Sequence, residues 1–89
     1  MRIKDNYVLQ EVADEYIVVP VGEESQKLGG IIRLNETGAF LWLLLKGTDY
    51  SVHDLTCALS SKFSIEPEIA EKDIYKFIQE IHALGCLQL

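Results

Sequence analysis

His53 and Cys57 stand four residues apart, and so do His82 and Cys86. Two imidazoles and two thiols are a legal ligand set for tetrahedral zinc. The spacing nevertheless matches no usual zinc-finger pattern, and Gly85 interrupts the second pair. The plainer reading is two scattered reduced thiols, a His53 near a helix cap and a His82 near a helix C-terminus, where positive charge is favourable. Glu66, Glu68, Glu71 and Asp73 crowd one short stretch. They suit the positive end of a helix dipole better than acid-base chemistry. "LGGII" is glycine-rich but precedes a strand, so it lacks the strand-to-helix context of a phosphate loop. No nucleophile, base and orienting group fall into a pattern. The expectation is a chain without catalysis, metal or cofactor.

The totals narrow the classes further. The 89 residues support one domain, 1–89, with 48% hydrophobic and 25% charged residues, a globular balance. The formal net charge is −6. A domain that relied on phosphate contacts would normally be basic, so nucleic acid is not the expected partner. No signal-peptide core and no long apolar span is present, so no membrane partner is expected and the cytoplasm is the expected compartment. Reduced cysteines fit that compartment.

The elements that would position a site follow from local pattern. "YVLQEV", Tyr7 to Val12, reads as a strand, and "ADE" as a tight connection. "YIVVPV", Tyr16 to Val21, is a second, β-branched strand, with Pro20 suggesting an edge or a strand end. "GEESQKLGG" is a polar loop, and "IIRL", Ile31 to Leu34, a short third strand. Short connections favour an antiparallel meander.

"LNETGAFLWLLLKG", Leu34 to Gly47, then switches the chain to helix. Asn35 is a good N-cap and Gly47 a natural residue just past the end. Gly38 to Leu45 carries no charge. A helix hydrophobic all round is expected to be buried all round, with Trp42 as a core anchor. A second helix starts at "YSVHDL", capped by Ser51 and Asp54 and stapled by Tyr50 to Leu55. Its inward stripe is Leu55, Ala58, Leu59 and Phe63. A third starts at Pro67 after Glu66 and ends at Gly85. Its stripe is Ala70, Ile74, Phe77, Ile78, Ile81 and Leu84. "CLQL" adds a short terminal extension. The order β-β-β-α-α-α predicts an α+β, winged-helix-like fold: a three-stranded antiparallel sheet followed by three helices.

The stretch "LNETGAFLWLLLKG", with "SVHDL" and the acidic "EPEIAEKDI" helix after it, resembles the family of coenzyme PQQ synthesis protein D. The matching features are Leu34-Asn35, Gly38-Ala39, Leu41-Trp42 and Gly47, and the three strands ahead of them. The resemblance covers nearly the whole chain. It implies a non-catalytic peptide-recognition domain. Such domains bind the leader of a ribosomally made precursor peptide and present it to a modifying enzyme, often a radical S-adenosylmethionine protein. The resemblance also implies that the leader adds as a strand to the edge of the third strand and lies against the third helix.

The residues can be read for such a site on their own terms. Strand addition needs a short unpaired edge, which "GGIIRL" could offer. The candidate peptide-binding residues are Gly30, Ile31, Ile32 and Arg33 on the strand, and Ile74, Phe77, Ile78 and Ile81 on the third helix. Lys76, Glu80 and Arg33 could read charges on the peptide. Against this, a stripe at helical spacing is usually core, which leaves a groove-facing role to its margin, such as Phe77. Two other functions compete. A winged-helix DNA-binding regulator would need a basic recognition helix, but the third helix is acidic. A structural subunit would use the free edge to form a homodimer.

Overall fold

The computed structural model describes residues 1–21 and 32–88. The strands are β1 (Arg2–Ile3), β2 (Tyr7–Val12), β3 (Glu15–Pro20), β4 (Ile32–Leu34) and β5 (Leu87–Gln88). The helices are α1 (Glu36–Gly47), α2 (Val52–Phe63) and α3 (Pro67–Ala83). β2, β3 and β4 form an antiparallel sheet in that order, as the meander predicts. Two-residue hairpin geometry explains "ADE": Ala13 and Asp14 both take positive φ, 50° and 66°, as a type I′ turn requires.

Two further strands are too short for local pattern to reveal. β1 pairs antiparallel with β5, Arg2 opposite Gln88 and Ile3 opposite Leu87. The amide of Lys4 extends the ladder to the Cys86 carbonyl at 2.9 Å. Ile3, Cys86 and Leu87 are buried, so the ladder closes one side of the core.

The caps fall where polar side chains can serve them. Asn35 accepts from the Gly38 amide at 2.8 Å, and Ser51 from the Asp54 amide at 3.1 Å. Glu66 precedes α3 without a side-chain bond to it, and Pro67 needs none at the first turn. α3 ends in a Schellman motif. Gly85, at φ +80°, donates to the His82 carbonyl at 3.0 Å, and Cys86 donates to that of Ile81 at 3.0 Å. Gly47 departs from expectation. It is the last helical residue of α1, and Thr48 caps the helix in an extended conformation.

The core gathers Tyr7 and Val18 from the sheet, Leu41, Trp42 and Leu45 from α1, Leu55 and Leu59 from α2, and Ala70, Ile74, Phe77 and Ile81 from α3. Trp42 is fully buried at its centre. α1 is not buried all round, however. Phe40 and Leu44 are half-buried and Leu43 is 61% exposed. α1 packs against β1, β2, β4 and α2, and this one line of the helix is left to solvent. On α2, Ala58 and Phe63 are half-buried while Thr56 joins the buried set, its hydroxyl donating to the Val52 carbonyl at 2.8 Å. Leu84 is the C-cap of α3 and is exposed. The half-buried Lys46 bridges two segments. Its ammonium donates to the Lys4 carbonyl at 3.0 Å and the Tyr7 carbonyl at 2.5 Å, tying the end of α1 to the β1–β2 connection and to the first residue of β2.

These details fix the sign of three substitutions. Gly85→Ala must hold a Cβ at positive φ and should cost about 1 kcal/mol. Gly47→Ala meets open space in a helical backbone and should stabilise by about 0.5–1 kcal/mol. Urea midpoints of the two variants should therefore move in opposite directions. Lys46→Met keeps the apolar stem but removes both donors. It should lower stability by about 1–3 kcal/mol, read from the same unfolding curves.

Candidate peptide-binding site

Register divides the sheet into two faces. Val18, opposite Ile32, is fully buried, so Ile32, Leu34, Val18 and Tyr16 face the helices. Arg33, opposite Ile17, belongs to the other face and is exposed. β4 pairs with β3 on one side only. Among the described residues nothing pairs with its second edge. Half of its backbone donors and acceptors therefore point away from β3, as strand addition requires.

That edge opens into a cleft of ≈ 370 Å³ between β4, the start of α1 and α3. Leu34, Gly38, Leu41 and Phe77 supply its apolar part. Arg33, Asn35, Thr37, Asp73, Lys76 and Glu80 supply its polar part. The helix start is shaped for this. A Cβ on Gly38 would come within 3.0 Å of the Asn35 side-chain oxygen and 3.5 Å of Leu34 Cβ. Glycine there lets the cap close tightly under the cleft. Arg33, Asp73, Lys76 and Glu80 form no ion pair among the described residues, although they surround one hollow.

The candidate residues separate by position. Ile32 is half-buried on the free-edge strand, and Arg33 is exposed beside it. Phe77 reaches the cleft but is only 6% exposed. Ile78 is half-buried and packs on the core. Ile74 and Ile81 are sealed inside, behind the α3 wall. Gly30 and Ile31 lie outside the described residues. Asn35, Thr37, Gly38, Leu41 and Asp73 line the cleft, although no sequence signal for binding singles them out. Their roles become visible only when α1 is laid beside α3.

The zinc arrangement does not assemble. His53 and Cys57 lie 3.8 Å apart on the exposed side of α2, whereas Cys86 is buried just before β5. Among the described residues no three His, Cys, Asp or Glu side chains converge as a metal site.

Comparisons with known proteins now bear on this geometry. No curated protein sequence matches the chain. Two solved structures resemble it in fold. One is TbiB1 in complex with the TbiA(beta) leader peptide, at 22% identity and TM-score 0.77, covering 99% of this chain and 95% of that one. The other is a lasso peptide synthetase B1 complexed with its leader peptide, at 19% identity and TM-score 0.75, covering 99% and 96%. The family model of coenzyme PQQ synthesis protein D matches residues 7–87, which span all three strands of the sheet and all three helices, and the chain belongs to that family.

Proposed function

We propose that this chain binds the leader segment of a ribosomally made precursor peptide and presents it to a modifying enzyme, such as a radical S-adenosylmethionine protein. The chain itself performs no chemistry, and the pair works in the cytoplasm. The observation that carries this reading is the unpaired edge of β4 opening into the cleft beside α3. Backbone bonds from Ile32 to Leu34 would hold a peptide as a fourth strand, with affinity that tolerates sequence change. The Phe77 edge and the rim of Arg33, Lys76 and Glu80 would add selectivity. Gly30 and Ile31 would extend the same edge. Ile74, Ile78 and Ile81 would act from behind, by holding α3 in place. Both solved structures of similar fold carry leader peptides, which supports this use of the fold.

The acidic α3 speaks against the DNA-binding alternative. Glu68, Glu71, Asp73 and Glu80 outnumber Lys72 and Lys76 along its length.

The test is a fluorescence anisotropy titration with synthetic leaders of each short precursor-like peptide found encoded by neighbouring genes. Saturable binding is expected. Lys76→Trp, which fills the cleft from an exposed position, should weaken it about tenfold or more with little change in melting temperature. Leu43→Ser on the far side of α1 should leave binding unchanged. Salt-sensitive binding to duplex DNA without binding to the leader would overturn the reading.

A further inference from the structure

The four-ligand zinc set does not form, but one half of it is assembled on α2. His53 and Cys57 stand four residues apart on that helix. One turn of helix brings such positions to the same face, one above the other. The side chains meet there. His53 Nε2 lies 3.8 Å from Cys57 Sγ, and both residues are exposed. The opposite side of α2 carries Leu55, Thr56 and Leu59 into the core, so the pair projects to solvent from a backbone held by packing. No α2 residue lines the cleft, and peptide binding has no use for the pair.

The separation of the two donors is the one a bound ion needs. Zinc takes thiolate sulfur at about 2.3 Å and imidazole nitrogen at about 2.0–2.1 Å. At a tetrahedral angle of about 109° those donors stand about 3.6 Å apart. The observed separation exceeds this by about 0.2 Å, which a small rotation of either exposed side chain closes. Two ligands at i and i+4 are also how a single helix holds zinc in H-E-x-x-H sites. Without an ion the contact is a weak S–H···N bond between two solvated groups, which contributes little to folding.

We propose that His53 Nε2 and Cys57 Sγ form a two-donor clamp for a thiophilic divalent ion of the zinc type. Thiolate and imidazole select such an ion over magnesium and calcium, which prefer oxygen. The ion replaces the proton of the Cys57 thiol, which passes to solvent. Among the described residues no third His, Cys, Asp or Glu joins the pair, so the other coordination positions stay open to water or to a donor from outside the chain. Cys86 is buried and takes no part.

Cobalt(II) titration of the purified chain, kept reduced by a phosphine, tests this. A thiolate-to-cobalt charge-transfer band is expected. Zinc should bleach it and magnesium should not. Cys57→Ser should abolish the band. His53→Ala should weaken binding about a hundredfold or more, because the two donors act as one chelate. Circular dichroism should show all three proteins equally helical, since both positions are exposed. Absence of the band in the unaltered chain overturns the proposal. So does a band that survives Cys57→Ser, which places the metal elsewhere. Equal affinity in His53→Ala also overturns it, because a lone thiol would then be the ligand.

Discussion

The site depends on one joint, the Asn35 cap. Its side-chain oxygen accepts from the Gly38 amide, and within one residue the chain turns from the edge strand β4 into α1. α1 then carries Leu41, Trp42 and Leu45 into the core, where α2 and α3 pack. Because β4 is covalently continuous with this helix, burying α1 fixes where the strand edge lies relative to α3. The cleft is thus a by-product of core packing. Thr37 hydroxyl also donates to the same Asn35 oxygen at 3.0 Å, so the cap is held from two sides while lining the hollow.

A small domain has limited interior, and here the interior supports the site from behind. Ile74 and Ile81 face inward and set the position of α3, while Asp73, Lys76 and Glu80 project on the other side of the same helix. Phe77 sits at the boundary. Truncating it would remove core volume as well as cleft surface, so its effect on binding cannot be separated from an effect on stability. The charged residues separate cleanly, because they are exposed and unpaired among the described residues.

Much of this was legible in the sequence because periodic patterns report burial. The strands at Tyr7 and Tyr16, the caps at Asn35 and Ser51 and the Gly85 stop all follow from local rules. The misses have physical causes. β1 and β5 are two residues each, too short for periodicity, and their pairing joins opposite ends of the sequence. Leu43 looks buried because composition cannot say which line of an apolar helix lacks a neighbour. Local pattern places Gly47 just past the end of α1, but it is the last helical residue, and Thr48 closes the helix in an extended conformation. The α3 stripe could not be divided into core and groove from spacing alone. That division needs the neighbouring α1, which arrives thirty residues earlier in the chain.

The sheet has two outer edges, β4 and β2, and only β4 opens into the cleft. Amide hydrogen exchange with and without bound leader peptide distinguishes them. The account predicts slowed exchange for Ile32 to Leu34 and for the cleft side of α3, with β2 unchanged. Protection of the Tyr7 to Val12 edge instead, with β4 exchanging as in the free protein while peptide is bound, would contradict it.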